Sequence, residues 1–332
     1  VLYTDILLAD LLLEMEITDK ARGLTDKTVK KNRKFLLMFF RYLDSEYSVT
    51  SLRELQPVHI KQFMIYKKNE GAAESYVNVF LRCIRALCKY AEGECYITAE
   101  QNPTLRVKWM KEQKRIIRAW SDEDIIKMIN YSEQKVRDRR KKLTGKRGAY
   151  SLFIAERDLL MVLLLIDTGL RVGELMNLSN KNLTSKAVYV INGKGKKDRV
   201  VYCSPKITKQ RMKYERAKQL YFNSKEDISV QDYVFVNKDG NRLSVDMAER
   251  IVTKIGQNAG CDNSIRMSPH TFRHYFTQKQ LDLGANVYDL QTLLGHSSIK
   301  TTETYLKSIS SKKVLKRGLE KSPLMNLSIK KN

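Results

Sequence analysis

At 332 residues, 42% hydrophobic and 30% charged, the chain is long enough for two compact domains, each with its own core. Lys and Arg number 61 against 37 acidic residues, a formal net charge of +24 that points to a polyanionic partner, nucleic acid before any other. The longest purely apolar run, Leu159–Ile166, is far shorter than the roughly 20 residues of a membrane-spanning helix. The apolar N-terminus carries Asp5, Asp10 and Glu14 with no basic stretch ahead of them, unlike a signal peptide. Five scattered cysteines without a C-x-x-C pair exclude a disulfide frame or a zinc site and fit reduced thiols in a cytoplasmic protein.

The first hundred residues read as a bundle of about four or five helices. Val29, Phe35, Leu36, Phe39, Phe40 and Leu43 line one face of residues 28–43, and Val77, Phe80, Ile84, Leu87 and Ala91 recur at steps of three and four. Shorter patterns lie near 3–16 and 57–68, with Pro57 fit for a helix start and Gly71 for a break. Residues 101–119 change character: Pro103 interrupts any helix, and Arg106–Arg118 holds six basic residues against Glu112 alone, which reads as a basic linker. Ser121 followed by Asp124 resembles a capping box, so a second domain is expected over 120–332.

That second domain reads as mostly helix with one small sheet. Residues 135–147, with eight basic residues and one acid, read as a mobile basic loop, with a helix end as the alternative. Ala187–Ile191 and Arg199–Tyr202 are β-rich around the polar segment Asn192–Asp198 and predict a hairpin, and Tyr233–Val236 predicts a further short strand. The fold class expected is therefore mainly α, two helical domains with a small antiparallel sheet in the second. No 20–50-residue repeat is visible.

Five short segments stand out in the second domain. The apolar helix before Thr168-Gly169-Leu170-Arg171 stops at Gly169 and leaves Arg171 at the start of the next helix, where backbone N–H groups also favour an anion. The hairpin tip, Gly193-Lys194-Gly195-Lys196-Lys197, lacks the spacing of a nucleotide-binding P-loop, so ATP is not implied. In Ser268-Pro269-His270-Thr271-Phe272-Arg273-His274, Ser268 is placed to cap a helix, with His270, Arg273 and His274 on one face. Gly295 ends a short helix just before His296, and Thr301–Tyr305 reads as a short polar helix. Each alone has an ordinary explanation as an ion pair, a structural histidine, a turn or a packing tyrosine.

In this order they resemble the signature of the tyrosine recombinase (phage-integrase) family, over roughly residues 110–310, and the helical region before them is similar to that family's core-binding domain. The resemblance matches Arg171 to the first catalytic arginine, Lys194 to the hairpin lysine, His270 and Arg273 to the H-x-x-R pair, His296 to the His-or-Trp position and Tyr305 to the nucleophile. Glu174 matches an acidic residue that orients its partner. Two features depart from the simplest members: the basic stretch 135–147 resembles an insertion, and no extra N-terminal module of the arm-binding kind is seen.

The implied activity is site-specific recombination through a 3′-phosphotyrosine, for integration or excision of a mobile element or for resolving DNA multimers. The transition state is anionic, so Arg171 and Arg273 suit its non-bridging oxygens, with His296 as a further donor. His270 is the candidate base for the Tyr305 phenol and Lys194 the candidate acid for the departing 5′ oxygen. No metal or cofactor is implied, because arginines and histidines can take a metal's place. The resemblance also implies double-stranded DNA bearing specific sites, a homotetramer on two such sites, and a tail over Ser311–Leu324 that packs on a neighbouring protomer. Accessory DNA-binding proteins are left open as partners. The alternatives are strand relaxation of the type IB topoisomerase kind and a catalytically silent DNA-binding relative.

Overall fold

A computed structural model describes residues 5–112, 118–191, 198–223, 225, 228–295, 298, 299, 302 and 303. It divides into two units, Val1–Arg115 and Ile116–Asn332.

The first unit holds α1 (Leu8–Ala21), α2 (Asp26–Tyr47), α3 (Pro57–Asn69) and α4 (Glu74–Gly93). Thr25 caps α2 by accepting the Thr28 N–H, and Pro57 opens α3 with its fixed φ. The aromatic positions of the 3.6-residue pattern become the core: Phe39, Phe63 and Phe80 are wholly buried, with ring centroids 5.0 and 5.1 Å apart along that series. Much of the segment read as a linker is fastened to this unit. Asn78 on α4 accepts the Met110 N–H at 2.9 Å and donates to the Met110 carbonyl and the Glu112 carboxylate. Arg85 donates to the Val107 carbonyl, and Val107 is buried.

The second unit is built around α6 (Gly145–Thr168), which packs against α5 (Asp122–Lys141), α8 (Pro205–Phe222) and α10 (Pro269–Asp282). From Leu152 to Leu165 nearly every side chain of α6 is buried, as befits a helix apolar on all sides. Three charged residues in that run need partners. Glu156, wholly buried, takes a fork from Arg140 of α5 and a hydrogen bond from Gln210 of α8. Arg157 pairs with Asp158 at 2.9 Å and donates to the Val236 carbonyl, and Lys135 reaches Asp158 at 3.3 Å. Between and after these lie α7 (Val172–Met176), β1 (Ala187–Val190), β2 (Arg199–Tyr202), α9 (Val245–Asn258) and α11 (Val287–Leu294). The strands form an antiparallel pair with Ala187 opposite Tyr202 and Val190 opposite Arg199.

Three expectations are corrected. The basic stretch 135–147 is not a mobile loop but follows the helix-end alternative: α5 continues to Lys141, capped at its start by Ser121 accepting the Asp124 N–H, and α6 begins at Gly145. Arg140 and Lys135, gripped by acids of α6, hold the end of α5 in place. Tyr233–Val236 is not a regular strand; Val236 forms an isolated bridge to Arg242, and Val234, Phe235 and Val236 are all wholly buried, without a solvent-facing alternation. Ser268 occupies the N-cap of α10, but its hydroxyl lies 3.2 Å from that of Thr271 instead of taking a backbone N–H. The tail 311–324 lies outside the described residues. Among those described, no helix is long and apolar enough to cross a membrane.

Candidate active site

Two glycine-terminated helix ends shape the site. α6 stops at Gly169, φ +59°, and the chain turns so that Arg171 becomes the N-cap of α7. Glu174, in the first turn of α7, reaches back to accept the Arg171 N–H at 2.9 Å, and its other oxygen accepts from the Arg171 guanidinium, also at 2.9 Å. α11 stops at Gly295, φ +62°, whose N–H turns back to the Gln291 and Thr292 carbonyls, and the Leu293 and Leu294 oxygens beyond them accept from side chains.

Those carbonyls are where the arginines meet. Arg273, buried on α10, donates from one end of its fork to the Gly169 carbonyl and from the other to the Leu294 carbonyl, both at 2.6 Å. Arg171 donates to the same Leu294 oxygen at 3.4 Å and to the Gly295 carbonyl at 3.1 Å. A single oxygen atom thus receives hydrogen bonds from both guanidiniums. The negative pole of a short helix accounts for their convergence. Two forked cations that can share one oxygen are also suited to an anion with several oxygens.

The electrostatics follow from burial. Desolvation pushes the Glu174 carboxyl up, but Arg199 and Arg171 together outweigh it and hold the group at about 2. His270 is exposed by area at the start of α10; the protein around it still desolvates the ring enough to lower its pKa, and Arg273 lowers it further. His274 is lowered to about 4, by desolvation first and then by His270 and Arg273. A neutral imidazole can accept a proton, so His270 is in the state a base requires.

Of the six residues singled out in the sequence, Arg171 and Arg273 are brought together and His270 lies one helical turn before Arg273. Lys194, His296 and Tyr305 lie outside the described residues. One participant escaped the sequence reading. Arg199, at the start of β2, forks onto Glu174 at 2.9 and 2.7 Å and donates to the Leu293 carbonyl at 2.8 Å. A signal existed: two-residue alternation puts Arg199 on the same strand face as the wholly buried Val201, and a core-facing charge demands a partner.

Residues 151–311 match the phage integrase family. Among curated proteins, the chain is similar to the tyrosine recombinase XerD of Listeria monocytogenes serotype 4b (strain F2365), 27% identical over 286 residues, 86% of this chain and 89% of that protein. It is likewise similar to the tyrosine recombinase XerC of Leptospira interrogans serogroup Icterohaemorrhagiae serovar copenhageni (strain Fiocruz L1-130), 27% identical over 283 residues, 84% of this chain and 82% of that one. Among solved structures, the fold resembles that of XerH site-specific recombinase in a post-cleavage complex with palindromic difH substrate, TM-score 0.66, 18% identical, covering 93% of this chain and 84% of that one. The match over residues 151–311 and these relatives together support a tyrosine recombinase, an enzyme that cuts and rejoins DNA.

Proposed function

We propose that the chain carries out site-specific recombination on double-stranded DNA with Tyr305 as nucleophile. The Tyr305 oxygen attacks the scissile phosphorus, His270 takes the phenol proton, and the 5′ oxygen leaves with a proton from Lys194. The product is a 3′-phosphotyrosine that conserves the bond energy. Attack by a 5′ hydroxyl rejoins the strand by the reverse proton transfers, without ATP. Arg171 and Arg273 donate to the non-bridging oxygens as charge accumulates, and His296 adds a donor. What carries this reading is that the guanidiniums of Arg171 and Arg273 converge on one oxygen acceptor, the Leu294 carbonyl. A homotetramer on two DNA sites completes the reading, as does a cytoplasmic location, which the free cysteines support.

The test is Tyr305→Phe on a nicked duplex whose site the wild-type chain selects from a randomised pool. Phosphate contacts supply most of the binding, so the variant binds within a few-fold of wild type but forms no covalent adduct. Adduct from the Phe variant, or wild-type adduct mapped to a peptide without Tyr305, overturns the assignment.

A further inference from the structure

We infer that Arg199 is a positioning residue of the cleavage site, which ties the Glu174 carboxylate and the last turn of α11 into one unit so that Arg171 is held in its cleaving geometry.

The side chain of Arg199 is 6% exposed and that of Glu174 8%, so the fork between them is a closed ion pair. Glu174 in turn holds Arg171 twice, through its backbone N–H and through its guanidinium. The remaining Arg199 donor, Nε, goes to the Leu293 carbonyl, next to the Leu294 and Gly295 carbonyls that Arg171 uses. The circuit is therefore closed: Arg199 to Glu174, Glu174 to Arg171, Arg171 to the end of α11, and α11 back to Arg199.

Fit as well as charge supports this. A Cβ at Gly295 would come within 3.1 Å of the Arg199 Nη1, so the backbone just before His296 in sequence lies against the guanidinium. Arg199 also opens β2, which pairs with β1, and in sequence Lys194 falls between the two strands. Lysine cannot replace this arrangement, because a single ammonium cannot form the fork and reach Leu293 as well. Arg199 touches no reacting atom in the proposed chemistry. Its effect runs through Arg171, and a displacement of about 1 Å at a catalytic group can slow a reaction about a hundredfold.

The inference rests on the cleavage reading above, and the experiment separates the two. Adduct formation is timed on the selected nicked duplex for the wild type, Arg199→Met, Arg199→Lys and the double variant Arg199→Met/Glu174→Gln. Arg199→Met is expected to cleave about a hundredfold more slowly and Arg199→Lys at least about tenfold more slowly, with binding within about threefold of wild type. The double variant is expected to recover at least about tenfold over Arg199→Met, because a neutral amide needs no buried cation. A defect of packing alone does not respond to removal of the charge. Cleavage by Arg199→Met within about threefold of wild type overturns the inference, as does a folded Arg199→Met that the second substitution fails to rescue. If Arg199→Met does not fold, a folded Arg199→Lys with wild-type cleavage overturns it equally. If the wild type itself forms no adduct, the cleavage reading has failed. The Glu174 carboxyl, followed by 13C resonance in the full chain without DNA, then decides: it begins to titrate above about pH 4.5 in Arg199→Met or Arg199→Lys but not in wild type, and identical titration overturns the inference.

Discussion

A single methyl group at position 169 is enough to disturb the site from behind. Gly169 holds φ +59°, and a Cβ there would lie 2.5 Å from Cδ1 of Phe276, a buried ring. Phe276 belongs to a small cluster with Leu281, Leu290 and Leu294, so it has little room to retreat except toward α11. Left-handed strain and overpacking together predict that Gly169→Ala loses about 2–4 kcal/mol in urea unfolding. Gly173, inside α7 with open space where its Cβ would be, supplies the contrast: Gly173→Ala should be neutral or slightly stabilising. Similar midpoints for the two variants would contradict the account. At this scale the arginines were legible because their types and order are unusual. Arg199 was not, because its partner stands 25 positions away and only the fold brings the two together.

Among the elements, α6 has two tasks. Its N-terminal half carries Glu156, which locks α5 and α8 to it, and its C-terminal end offers the carbonyl that Arg273 holds. From Glu156 to Gly169 the helix axis runs about 20 Å, at 1.5 Å per residue. The Glu156 side chain is 1% exposed while Arg140 is 48% exposed, so the two partners are not equivalent. Arg140→Ala strands a buried carboxylate and should cost about 3 kcal/mol, whereas Glu156→Gln leaves a neutral group that still accepts from Arg140 and should cost about 1–2 kcal/mol. Chemical denaturation of both variants checks the order; Glu156→Gln as the more damaging would refute it. The sequence displayed the apolar length of α6 but hid the end of α5. There a run of positive charge masked a helix whose apolar positions, Ile125, Met128 and Val136, are buried at helical spacing. The acids that fix Lys135 and Arg140 sit on another helix, beyond the reach of any local pattern.

For the whole molecule, the surplus of positive charge governs how it meets a polyanion. Among the described residues, the buried cations of the second unit are matched: Arg157 by Asp158, Arg199 by Glu174 and Lys218 by Glu215, with Arg273 on two carbonyls. A net charge of +24 favours many phosphate contacts, each releasing a counterion. Binding of the selected duplex should then fall steeply with salt, with a slope of log K against log salt steeper than about −4. A slope shallower than about −2 would mean that phosphate contacts do not dominate. Fold class was legible at this scale from helical spacing and one β-rich hairpin. The attachment of residues 107–112 to α4 was not, since it depends on Asn78 and Arg85 meeting two main-chain carbonyls and the Glu112 carboxylate 22 to 34 positions later.

The choice of main-chain carbonyls as anchors has a bearing on how such a site persists while its surroundings change. The oxygens of Gly169, Leu294 and Gly295 are present whatever side chain occupies those positions, so no exchange of residue type can delete them. Substitution can only shift where the helix ends lie. Selection on the site then acts mainly on the arginines and on whatever terminates two helices at the right place. Most other positions of α6 and α11 are free to drift within the limits of size and hydrophobicity. A chain 27% identical to such a relative over 286 residues seats its own arginines on groups that no substitution can remove.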